Sequence, residues 1–150
     1  MSQTDRIEKK VLVRAPRAKL WKALTDTELL GKWFSARIDR ATIAPGAALK
    51  GKVLAEGYEH LEMDAIVEKV EPERYLSWRW HPGSKDKMDF SKEPRTLVEF
   101  QLEEAEGGTM LTVIESGFDA LAKRRDEARR GNDEGWTEVT KSIARDVVAA

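Results

Sequence analysis

The chain has 150 residues and a mass of 17.0 kDa, with 41% hydrophobic and 35% charged residues. That balance supports one packed core under a charged surface, excludes a disordered chain, and makes residues 1–150 a single expected domain. A formal net charge of −1 removes any overall field toward nucleic acid or an anionic membrane, and the absence of cysteine excludes disulfides, thiolate nucleophiles and cysteine-bound metals.

The most continuous apolar stretch, Val147 to Ala150, is far short of the roughly 20 residues a membrane span needs. Charges at Asp5, Arg6, Glu8, Lys9 and Lys10 precede any apolar run, unlike a secretory signal. A cytoplasmic protein is expected. Residues 7–14 are β-rich and end at Ala15-Pro16, where proline cannot continue a strand ladder but suits the first turn of a helix. Leu20, Trp21 and Leu24 then share a helical stripe, and Thr25-Asp26-Thr27-Glu28 has the spacing of a capping box with Thr25 at the cap. It opens a second short helix carrying Leu29, Leu30 and Trp33.

In the middle of the chain the period changes to two. Leu49, Val53, Leu61, Met63, Ala65 and Val67 alternate with polar neighbours, and breaks fall near Ala44-Pro45-Gly46 and Gly57. From Tyr75 to His81, Leu76, Trp78 and Trp80 point to one face. Residues 82–94 show no period and form a long loop, with Met88 and Phe90 as elements of a lid. Val98, Phe100 and Leu102 mark another strand, Gly107-Gly108 a hairpin, and Leu111 to Ser116 its return. The last third is helical. A first helix over 119–130 is expected to stop at Gly131-Asn132. A second, about 17 residues long, starts at Asn132 or Asp133 and carries Trp136, Val139, Ile143 and Val147 on one face.

Strand, two short helices, about six strands and a terminal helix define an α+β fold in which short turns give antiparallel pairing. The terminal helix, about 25 Å long, matches the width of a sheet of seven-residue strands. Whether the space between them is filled by side chains or left as a cavity is open at this level.

The segment from Pro16 to Asp26, with Leu20-Trp21-Lys22-Ala23-Leu24-Thr25-Asp26, and the following Leu29-Leu30-Gly31-Lys32-Trp33-Phe34 resemble the opening of START-like proteins. Within that superfamily the resemblance is to bacterial relatives of the C-terminal domain of the activator of heat shock protein 90 ATPase. Leu76-Ser77-Trp78, Gly108-Thr109-Met110-Leu111-Thr112, Ser116-Gly117-Phe118 and Gly135-Trp136 agree in order along nearly the whole chain. The resemblance implies a helix-grip fold, a curved antiparallel sheet of six or seven strands wrapped around the terminal helix with a deep cavity between them. Function is less constrained, because the superfamily includes lipid carriers, cyclases, hydrolases and chaperone regulators.

The site expected from these residues is an aromatic-lined receptor for a small hydrophobic or aromatic molecule, formed by Trp33, Met63, Trp78, Trp80, Phe100, Glu115, Trp136, Val139 and Ile143. Trp33 is placed at its mouth. Simple core filling by the same rings is the competing reading. Glu115 shares the parity of Leu111 and Val113, so it faces inward, with Arg79 or Arg95 as candidate partners. Two other functions stay open: a domain that binds the chaperone, and a cyclase- or hydrolase-type enzyme using Glu115, His81 or Tyr58. No zincin, nucleophile-elbow, phosphate-loop or dinucleotide pattern occurs, so neither metal nor cofactor is expected. Lys123-Arg124-Arg125 with Arg129-Arg130 is diluted by Asp126 and Glu127 and reads as a solvated helix rather than a nucleic-acid surface. Monomer and homodimer are both compatible with the chain.

Overall fold

In the computed structural model of the chain, residues 5–82 and 92–148 are described. Strand β1 (Arg6–Val13) buries Ile7 and Val13, and the extended Pro16 (φ −62°, ψ 155°) leads from it into α1 (Arg17–Thr25). Leu20, Ala23 and Leu24, three and four positions apart, are the buried face of α1. Asp26, not Thr25, caps α2 (Thr27–Phe34), its carboxylate accepting the backbone N–H groups of Glu28 and Leu29 at 2.9 and 3.2 Å. The Thr25 hydroxyl instead donates back to the Trp21 carbonyl at 2.7 Å. The cap falls one residue later than expected, as a one-way cap with Leu29 at the third position rather than a box, because the adjacent carboxylate offers a charged acceptor to the positive helix end.

Ser35, in the left-handed region at φ 49°, ends α2 and turns the chain into β2 (Ala36–Ile38). The reversal is tight enough that a Cβ at Gly31 would lie 2.4 Å from the Ala36 carbonyl oxygen, which explains a glycine inside this helix. Strands β3 (Ala48–Val53), β4 (Glu62–Glu71), β5 (Tyr75–Trp80), β6 (Thr96–Ala105) and β7 (Gly108–Ser116) complete a seven-stranded sheet of order β1-β7-β6-β5-β4-β3-β2. Every neighbouring pair is antiparallel. The alternation anticipated in β4 holds from Met63 through Val67 and then shifts at an irregularity between Val67 and Lys69.

A 3-10 turn, Phe118–Arg124, follows β7 and kinks at Ala122 (φ 54°, ψ −113°). From there α3 (Arg125–Asp146) runs without interruption for 22 residues, about 33 Å. The expected helix break at Gly131-Asn132 does not occur. Gly131 and Gly135 both face open space, so their weak helix propensity acts only through the backbone. Burial of Ala128, Trp136, Val139, Thr140 and Ile143 along the other face outweighs it. Val147 ends the helix as a buried residue just beyond its last turn. The core lies between the inner face of the sheet, to which all seven strands contribute, and the helices, with Trp78, Phe100, Phe118, Leu111 and Ile143 among its fully buried side chains. The expected lid residues Met88 and Phe90 lie outside the described residues.

Candidate functional site

Register brings three inward rows together under α3. Trp80 of β5 pairs with Thr96 of β6, Trp78 with Val98, and Leu76 with Phe100. Across the next seam Val98 pairs with Glu115 and Phe100 with Val113. Glu115 is therefore the diagonal neighbour of Thr96 on the same face. On α3, Asn132 and Trp136 are four residues apart and project on one side of the helix toward this corner.

The rings form a continuous cluster. Trp78 and Phe100 are 4.9 Å apart between centroids, and Trp78 and Trp80 are 5.6 Å apart. Trp80 stacks on Trp136 at 5.7 Å with 29° between planes, and Phe100 meets Trp136 edge-on at 5.8 Å. Phe34, the last residue of α2, reaches Trp78, Trp80 and Trp136 at 5.8, 5.7 and 5.4 Å. Edge-to-face geometry of this kind is favourable beyond simple burial. Phe34 and Trp80 are half-buried and form the outer side of the cluster, whereas Trp78, Phe100 and Trp136 are enclosed.

Glu115 sits at the edge of these rings and has no exposed surface. Its Oε1 accepts the indole N–H of Trp136 and the amide N–H of Asn132, each at 2.8 Å. Its Oε2 accepts the Trp80 indole at 2.9 Å, the Thr96 hydroxyl at 2.5 Å and a second contact from Asn132 at 3.0 Å. One carboxylate thus ties β5, β6 and β7 to α3 entirely through neutral donors. Neither suggested arginine reaches it. Arg79 pairs with Glu68 at 2.6 Å, and Arg95 pairs with Asp64 at 3.3 Å and donates to the Asp64 carbonyl at 2.8 Å. Both arginines take partners outside the core, where a guanidinium keeps its hydration.

Desolvation raises the Glu115 pKa above its ordinary 4.5, and the hydrogen bonds from Thr96, Trp80, Trp136 and Asn132 oppose that rise. None of those four groups titrates in the same range. Because the unfolded chain sheds this proton first, stability declines as pH rises from 4.5 toward the elevated folded value. Below 4.5 both states are protonated and the effect vanishes. Urea unfolding at about pH 5 and about pH 8 should show that decline in the native chain and a smaller one in Glu115→Gln.

A second polar atom in the cluster is unusual. The indole N–H of Trp78 is buried and has no hydrogen-bond partner among the described residues. An orphaned buried donor of this kind costs about 1–3 kcal/mol. Trp33 is buried beside α1. Its indole donates to the Ala23 carbonyl at 3.0 Å, which ties α2 to α1, and it is part of the same buried core as the rings. Met63, Val139 and Ile143 are buried in the same core. Thr96, Asn132 and Phe34 are site residues that sequence reasoning missed. A signal for Asn132 was its four-residue spacing from Trp136, hidden by taking Gly131-Asn132 as a helix end. Tyr58 lies between β3 and β4, and His81 follows β5 with its pKa lowered by desolvation.

Two surface clefts are separate from this cluster. One, about 330 Å³, lies beside Pro16, Arg17 and Glu104, and the other, about 550 Å³, lies between α2 and β2 beside Thr27, Arg37 and Leu54. In the described residues the rings themselves occupy the ground between sheet and α3, at contact distance.

A seven-stranded antiparallel sheet with two short helices after β1 and a long C-terminal helix is the helix-grip arrangement of START-like proteins. Residues 14–147 match the family model described as activator of Hsp90 ATPase homolog 1-like protein, and the chain belongs to that family. Among solved structures it is similar to protein MLL2253 from Mesorhizobium loti, at 25% identity and a TM-score of 0.68, over 94% of this chain and 98% of that one. It is also similar to DynU16, from the dynemicin biosynthetic locus, at 25% identity and a TM-score of 0.70, over 94% of this chain and 46% of that one. The Aha1 dimer from Colwellia psychrerythraea shares the fold at 22% identity and a TM-score of 0.72, over 95% of each chain. No curated protein matches the chain.

Proposed function

We propose that the protein binds a small hydrophobic or aromatic molecule between the sheet and α3, without catalysis. The observation that carries this reading is the buried Trp78 indole N–H with no acceptor, set within rings whose outer members, Phe34 and Trp80, are only half-buried. A core that merely fills space gains nothing from an unpaired donor, whereas a ligand oxygen or nitrogen would satisfy it. Entry requires Phe34 and Trp80 to part from Trp136, a side-chain motion of the kind binding sites commonly make. Burying about 200 Å² of apolar ligand surface would contribute about 5 kcal/mol before association costs.

Tryptophan fluorescence titrated with flavonoid-, polyketide- and fatty-acid-like compounds tests the reading. A saturable change with at least one class is expected. Linear or absent responses across the panel would remove it.

A second reading rests on the family match and on the Aha1 dimer among the similar structures. In it the domain contacts a heat shock protein 90 chaperone, as a monomer or a homodimer. Stimulation of the bacterial chaperone's ATPase would support this, and no stimulation at saturating concentration would end it. Both readings place the chain in the cytoplasm.

A further inference from the structure

Strand β2 ends the sheet on one side, and its outer edge has no strand neighbour. On its inner edge the Asp39 N–H donates to the Lys50 carbonyl and the Leu54 N–H to the Ser35 carbonyl, each at 2.7 Å. Bonded and unbonded pairs alternate in an antiparallel ladder, so Ile38, opposite Gly51, turns its N–H and C=O away from β3. Ala36 does the same, but α2 closes over that end, where a Cβ at Gly31 would lie 2.4 Å from the Ala36 oxygen. The Ile38 end opens on the cleft of about 550 Å³ that Thr27 and Glu28 wall on the α2 side. Thr27 is buried there, and among the described residues its hydroxyl has no hydrogen bond. Leu54, 50% exposed, is at the same cleft.

Cations predominate around this edge. Arg37 stands directly opposite Lys52 with both side chains exposed, a like-charge pair that costs stability. Arg40 adjoins them at the cleft, and Lys50 is two residues from Lys52 on the same face of β3. Among the described residues none of the four is in an ion pair. Glu62 stands opposite Lys52 and Asp39 opposite Lys50 without closing one, and Asp64 is taken by Arg95. The other acids of the cleft, Asp26 and Glu28, are on the α2 wall, and Asp26 already accepts the N–H groups of Glu28 and Leu29. An incoming anion is therefore directed to the β2 side.

We infer that the outer edge of β2 takes up an extended peptide segment of alternating acidic and apolar residues, added to the sheet as an antiparallel strand beside Ile38. The peptide residue opposite Ile38 exchanges main-chain hydrogen bonds with it and turns an apolar side chain to the core-facing side. Its neighbours in the peptide turn carboxylates to the outer face beside Arg37 and Lys52, which relieves the like-charge pair. The far edge of the peptide faces Thr27, whose hydroxyl gains a main-chain carbonyl. This surface is separate from the ring cluster, so the inference depends on neither reading above.

Fluorescence anisotropy of short labelled peptides tests this. A peptide of alternating valine and glutamate is expected to bind at least about tenfold tighter than its valine–lysine counterpart. Arg37→Glu combined with Lys52→Glu, both on the exposed face, should reverse that order. Methylation of the valine nitrogens, which face Ile38, should abolish binding, whereas methylation of the glutamate nitrogens should leave it within about threefold. The peptide series in the native chain decides the matter even if the double variant does not fold. Equal binding of the two charge types overturns the acidic preference, and tolerance of valine methylation overturns strand addition. Failure of every peptide to bind overturns the inference whole and leaves the small-molecule reading of the ring cluster standing.

Discussion

Glu115→Ala is expected to destabilise the protein by about 3 kcal/mol at neutral pH. Among the described residues, the substitution removes the acceptor of the Trp80 and Trp136 indoles, which are stacked on each other with Trp136 enclosed in the core. The Thr96 hydroxyl can rotate to another acceptor and the Asn132 amide can reorient, so the fixed indoles account for most of the loss. Relief of the carboxyl group's desolvation gives some of that energy back, which limits the total. Glu115→Gln keeps the volume and one carbonyl and sheds the charge, at the expense of a donor facing a donor on one side. It should fall within about 1 kcal/mol of the native chain. Urea unfolding of the three proteins at one pH measures both differences. An alanine variant as stable as the glutamine variant would mean that the four donors do not depend on this carboxylate.

Trp136→Ala is expected to be the more damaging change, about 4 kcal/mol, in the range for removal of a large buried aromatic. Its ring touches Phe34, Trp80 and Phe100 and its indole holds Oε1 of Glu115, so the cavity would open where α2, α3 and the sheet meet. Trp136→Phe retains the stacking surface and loses the donor, for an expected cost of about 1–2 kcal/mol. The two variants separate packing from hydrogen bonding in the same position. Denaturant midpoints supply the measurement, and near-equal costs would assign the role of Trp136 to its N–H alone.

The sheet was legible because period-two alternation in Leu76-Trp78-Trp80 and Val98-Phe100-Leu102 records which face meets the core, and the register follows from that face. The inward direction of Glu115 was legible for the same reason, from the parity of Leu111 and Val113. What lay beyond the sequence was the identity of its partners. Thr96 and Asn132 reach Glu115 from other elements, and no local pattern distinguishes a threonine opposite a tryptophan from one facing solvent. The helix break at Gly131-Asn132 failed because local propensity is a matter of about 1 kcal/mol per glycine, while the buried face of α3 from Ala128 to Ile143 supplies several times that. Phe34, which sequence reasoning left without a role, joins the ring cluster while Trp33 hydrogen-bonds α1, for a geometric reason. Adjacent residues on a helix point about 100° apart, so α2 turns one ring toward α1 and the other toward the sheet.

Indole proton–nitrogen correlation spectra recorded during titration with the flavonoid-, polyketide- and fatty-acid-like compounds test the central claim most directly, since the chain holds five tryptophans in distinct surroundings. The account predicts saturable shifts of the Trp78, Trp80 and Trp136 indole signals, largest at Trp78 as it gains an acceptor, with Trp21 and Trp33 nearly unmoved. Shifts confined to Trp21 and Trp33, or five signals that do not respond at any concentration, would contradict it.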